Sequence, residues 1–76
     1  MSTADIIRMA NQIAQFFAPY PESDAVQGIC DHFSKFWTVA MRRDLLTILQ
    51  ETPSGDAATL HPLAVSAGRM LAERGG

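Results

Sequence analysis

Pro19-Tyr20-Pro21 is the feature that most narrows what this chain can become. Each proline lacks the amide that a helix ladder needs and pushes the preceding residue out of the α region, so no helix runs through this tripeptide. Helical periodicity stands on both sides of it, and the chain must therefore turn a tight corner between two helices. The aromatic side chains gather around that corner. Phe16, Phe17, Tyr20, Phe33, Phe36 and Trp37 are all the phenylalanine, tyrosine and tryptophan the chain has, which concentrates the large burials open to a small core within residues 9–42.

Before the corner, periodicity predicts a helix over 4–18, with Ser2 or Thr3 as N-cap and Asp5 complementing the positive helix end. Phe16, Met9, Ile13, Ile6, Phe17, Ala10, Ala14 and Ile7 then cover about half the circumference, wider than the roughly 100° stripe that faces a core. The opposite wall, Asn11, Gln15, Arg8 and Gln12, is rich in amides and carries one charge. Such a helix either packs in a bundle and exposes some apolar surface, as small domains do, or lays its surplus flank on another protein.

After the corner, Ser23 or Asp24 is placed to cap a helix over 25–36 whose apolar face holds Ala25, Val26, Ile29, Cys30, Phe33, Phe36 and Trp37. Asp31 and Lys35 are spaced to form an i,i+4 pair on its outer side. Cys30 reads as a small buried hydrophobe. Gly28 and His32 sit one turn apart at the border of the two faces, where glycine allows close backbone approach and histidine can both pack and hydrogen-bond. His32 is read as a structural histidine or as a polar contact to a partner.

Thr38 caps a third predicted helix, 39–50, with Val39, Met41, Leu45, Leu46, Ile48 and Leu49 over half its wheel. Arg42 intrudes among those leucines, near the positive end of its own helix, where the dipole gives a cation nothing. It either lays its stem on them with its head in water, or sets its fork on a carboxylate or backbone carbonyl of a partner. Thr52-Pro53-Ser54-Gly55-Asp56 is a breaker-rich loop. A last helix is predicted over 62–74, with Pro62 at its first position and Gly75 at its C-terminal cap. The expected fold is all-α: a single domain over residues 1–76, made as a small bundle of three to four short helices.

Composition limits the function. With 76 residues and one cysteine, the chain forms a single small domain with no internal disulfide, and its two histidines without a second thiol make a closed zinc site improbable. A small core of this kind usually needs a partner to be secure. The net charge of −2 and the absence of any basic run longer than Arg42-Arg43 disfavour nucleic acid, and with it a DNA-binding regulator. The start MSTAD lacks the basic segment and apolar core of a signal peptide, and no window approaches ~18 unbroken apolar residues. The expectation is a cytoplasmic protein that neither crosses nor anchors to a membrane. No phosphate loop, metal-spaced Cys/His set or nucleophile with ordered histidine and carboxylate is present, so independent catalysis is not expected and no catalytic, metal or cofactor residue is assigned. As partner-binding residues we single out Met9, Asn11, Gln12, Phe16, His32 and Arg42, with Ile13, Phe17, Phe36 and Trp37 expected mainly in the core.

Arg8-Met9-Ala10-Asn11-Gln12-Ile13-Ala14, then Phe16-Phe17, Tyr20-Pro21, Gly28-Ile29, His32, Lys35-Phe36-Trp37 and Met41-Arg42 together resemble the delta subunit of cytosolic, molybdenum-containing, NAD-dependent formate dehydrogenases. The likeness covers roughly residues 6–50 and, weakly, 60–63. It implies a non-catalytic subunit that docks on the alpha subunit, which holds the molybdenum pterin cofactor and iron–sulfur clusters, within a complex whose beta and gamma subunits carry FMN and further clusters and reduce NAD. This chain would bind none of these groups itself and would support assembly, stability or cofactor insertion. The alternative is a transient maturation chaperone for molybdenum cofactor insertion that leaves the finished enzyme. Where the family tends to have an acidic residue and proline, Thr38-Val39 and His61-Pro62 stand here; threonine still caps a helix, while His61 is expected to cap less well.

Overall fold

Ser2 starts the first helix in the way its sequence dictates. In the computed structural model, which describes residues 2–51 and 59–75, the Ser2 hydroxyl accepts from the Asp5 amide at 3.2 Å, and the Asp5 carboxylate accepts in return from the Ser2 amide at 3.4 Å. This reciprocal box satisfies two donors that a helix start would otherwise leave open. Helix α1 then runs Thr3–Phe17 and ends at the proline corner.

Helix α2 spans Glu22–Phe36 and differs from the sequence reading at its start. It begins at Glu22 rather than Ala25, with Pro21 as the N-cap residue and no side chain capping it. Proline's fixed φ suits a helix entrance, the Pro21 carbonyl already accepts from the Ala25 amide at 2.9 Å, and Glu22 and Asp24 place negative charge in the first turn. Ser23 and Asp24 are therefore inside the helix and do not cap it. At the other end Trp37 turns extended, which stops α2.

Helix α3, Val39–Gln50, follows at once, capped by the Thr38 hydroxyl accepting from the Met41 amide at 3.2 Å. Helix α4 is Pro62–Glu73. His61 does serve as its cap: the imidazole Nδ1 accepts from the Leu63 amide at 3.1 Å, doing with a ring nitrogen what a carboxylate oxygen would do. Arg74 closes the helix, and Gly75 takes φ +94°, the left-handed turn that glycine adopts without cost. The breaker-rich loop expected over 52–56 lies outside the described residues.

Ile6, Ala10, Ala14, Ala25, Ile29, Cys30, Phe33, Leu45, Ala64, Ala67 and Leu71 are almost wholly hidden from solvent and form the centre. The most extensive packing is α2 on α4. Two glycines set how closely helices approach. A Cβ at Gly28 would stand 2.5 Å from the Phe17 ring, which brings α2 against α1, and one at Gly68 would stand 2.5 Å from Leu49, which brings α4 against α3. The result is an all-α bundle of 28 × 22 × 20 Å, in which, among the described residues, no helix is long and apolar enough to cross a membrane.

Candidate functional site: an apolar groove between α1 and α2

Because α1 and α2 are joined by a tight corner, residues that α1 presents on its surplus flank meet residues on the border of α2. Gln12, Ile13, Phe16 and Phe17 from α1 and His32 from α2 line an open groove of about 430 Å³. Among the described residues, no Asp, Glu, Lys or Arg lines it. Phe16 is 69 % exposed and packs edge-on against Phe17, with ring centroids 5.1 Å apart. Phe17 in turn lies 5.9 Å from Tyr20 of the corner. On the facing helix, the Phe36 ring rests 4.8 Å from the His32 ring and is 71 % exposed. The groove thus has an aromatic floor and rim, and two polar side chains, the Gln12 amide and the His32 imidazole, available to orient whatever lies in it.

Sequence reasoning placed Phe36 in the core, and the structure puts it outside. The last turn of α2 directs Phe33 and Trp37 inward, 4.4 Å apart and both buried, and these two rings fill the space. Ile13 and Phe17, also expected mainly in the core, are half-buried: they pack on its edge and line the groove at the same time. The signal that could have found Phe36 is its i,i+4 spacing from His32, which sets the two on one face of α2.

Of the six residues singled out, the structure brings together Gln12, Phe16 and His32 in this groove. Met9 is half-buried against the core. The other two are engaged within the chain. Asn11 is a clamp: its Oδ1 accepts from the His61 amide at 2.7 Å and its Nδ2 donates to the Thr59 carbonyl at 3.0 Å, which fastens the entrance of α4 to the middle of α1. Arg42 sets its guanidinium on backbone carbonyls of its own chain, whereas one of the two sequence readings places it on those of a partner. One guanidinium nitrogen donates to the Trp37 carbonyl at 2.8 Å and lies 3.2 Å and 3.4 Å from those of Ser34 and Phe33. A cation there meets the negative end of α2, which gives Arg42 the favourable dipole that its own helix denies it.

The remaining chemistry is structural. Burial pushes the Cys30 thiol up from its ordinary value. Asp5 is held below the usual carboxylate range by the Arg8 guanidinium at 3.2 Å and by the bonds it shares with Ser2. Asp31 and Arg74 pair at 2.8 Å and tie α2 to the end of α4. Among the described residues, no three His, Cys, Asp or Glu side chains gather into a metal-binding set.

A family model described as the NADH-dependent formate dehydrogenase delta subunit FdsD matches residues 5–67, most of the chain. No curated protein and no solved structure matches it.

Proposed function

The chain belongs to the delta-subunit family of NADH-dependent formate dehydrogenases, and on that premise we propose that it is a non-catalytic accessory subunit that docks on the molybdenum-containing alpha subunit in the cytoplasm. The family match carries this reading. Docking is through the α1–α2 groove, because an uncharged surface of aromatic side chains with a few polar handles has the composition of an interface centre. Phe16 and Phe36 are the anchors, Gln12 and His32 supply directional hydrogen bonds, and the docked chain supports assembly, stability or cofactor insertion. Beta and gamma subunits complete the assembly, and formate oxidation coupled to NAD belongs to the assembly.

The chain holds none of the complex's cofactors in this reading. Iron–sulfur clusters are held by sets of cysteine thiolates, and the sequence has one cysteine, which is buried.

The test is to tag this chain, purify it gently from its native cell, and read the co-purifying proteins and the visible spectrum of the eluate. The expected result is a stoichiometric iron–sulfur flavoprotein that oxidises formate with NAD. The paired substitution Phe16→Ser and Phe36→Ser, at exposed positions that leave the core intact, removes that recovery. Recovery of only a colourless, cofactor-free large subunit replaces the subunit reading with that of a departing chaperone, and elution of the chain alone refutes both.

A further inference from the structure

We infer that the α3–α4 face is a second docking surface, distinct from the aromatic groove, whose occupant is an acidic amphipathic segment of a sister subunit. This rests on the accessory-subunit reading and adds to it the chemistry of a contact. Two hollows of about 370 and 390 Å³ share Leu46 and Gln50 and so adjoin along α3. Among the described residues their walls carry three arginines, Arg42, Arg43 and Arg69, and no carboxylate, although the chain as a whole has net charge −2 and eight acidic residues. Half of its six basic side chains thus line these two hollows.

The three arginines are not equivalent. Arg42 is committed to the carbonyls that end α2. Arg43 and Arg69 are exposed and form no ion pair among the described residues, whereas Arg8 and Arg74 each hold a carboxylate at 3.2 Å or less. Both hollows are lined by the half-buried Leu46, and the one that holds Arg69 also by Leu49, which is only 9 % exposed. A guanidinium fork matches a carboxylate in two parallel hydrogen bonds, so the trough fits a segment that sets apolar side chains on the leucines and carboxylates on the arginines. Complementary charge of this kind fixes register and excludes wrong partners. A polyanion is disfavoured, because two free cations on a net negative chain fall short of the clustered basic surface that nucleic acid or an anionic bilayer requires.

The experiment uses the full tagged chain expressed with its sister subunits. Arg43→Glu with Arg69→Glu, both exposed, is expected to lower recovery of the sister subunits about tenfold at ~0.1 M salt, while the helical dichroism stays unchanged. Arg43→Lys with Arg69→Lys retains most recovery and places amines in the trough. Carbodiimide, which joins amines to carboxylates in direct contact, then links this variant to an Asp or Glu of a sister subunit. Recovery by the glutamate variant equal to that of the native chain overturns the inference while leaving the accessory-subunit reading in place. Arginine-dependent binding to phosphatidylserine vesicles or to duplex DNA, with recovery untouched, overturns it in favour of those partners. If even the native chain recovers no sister subunit, the accessory-subunit reading falls and this inference falls with it.

Discussion

Replacing Arg42 by methionine isolates what its fork does, since methionine keeps an apolar stem of similar length on the α3 surface. The substitution removes one charge-assisted bond of 2.8 Å to the Trp37 carbonyl and two longer ones to Ser34 and Phe33 from the same nitrogen. A hydrogen bond to a charged group contributes about 1.5–3 kcal/mol, and the longer pair shares a single nitrogen, so the fork as a whole is worth about 2 kcal/mol. At ~0.05–0.15 kcal/mol per residue, a chain of 76 residues has roughly 4–11 kcal/mol in total, and the loss is a large fraction of it. In a domain of this size it lowers the melting temperature by about 8–16 °C. Urea titration of the purified chain, followed by far-ultraviolet dichroism, measures the difference directly. Arg42→Lys, which keeps the charge but not the fork, is expected to lose about 1 kcal/mol. An Arg42→Met chain within about 0.5 kcal/mol of the native one, the range of an ordinary surface change, refutes the assignment of Arg42 as the cap of α2.

Asn11→Ala leaves the half-buried His61 amide without its acceptor and is expected to cost about 1–2 kcal/mol, read as a lower melting temperature; no change refutes the clamp. Gly28→Ala gains about 1 kcal/mol of helix propensity but drives a methyl against the Phe17 ring, which yields into the open groove it lines, so unfolding measurements should change by no more than about 1 kcal/mol while recovery of sister subunits falls; unchanged recovery refutes the role of the groove. The Asp5 carboxyl titrates lower in the folded chain than in the unfolded one, so its stabilisation is present above the unfolded value near ~3.9 and is lost as pH falls through the folded value. A chain carrying Asp5→Asn should therefore be less stable than the native one at neutral pH, with the gap closing progressively below about pH 4; a gap that persists into acid refutes the linkage.

The all-α fold and the delta-subunit family were both legible in the residues, for different reasons. The fold follows from local signals, namely the proline corner, Ser2 with Asp5, and Thr38 before a periodic run. The start of α2 was misplaced because the reading looked for a side-chain cap, and a proline can open a helix without one. Phe36 was misplaced because periodicity reports which face a residue occupies and is silent on whether a neighbouring helix reaches far enough to cover the last turn. Asn11 and Arg42 stood out as polar residues beside apolar ones, but their acceptors and donors lie far along the chain or beyond a helix end, where spacing carries no information. The groove itself was half legible: the over-wide flank of α1 marked Phe16 and the border of α2 marked His32, while only the packing of α2 on α1 set the two beside each other and left Phe36 exposed next to His32.

The alanines at the centre have a consequence for how so short a chain folds without a cross-link. Ala10, Ala14, Ala25, Ala64 and Ala67 are hidden completely, and Gly68 lies buried among them in α4. Alanine and glycine have no side-chain rotamers to freeze, whereas each buried long side chain gives up as much as ~2 kcal/mol of rotational freedom. Much of the contact between these helices therefore forms at almost no side-chain entropy cost. Phe16 and Phe36 remain outside, with their freedom largely unspent until a partner covers them.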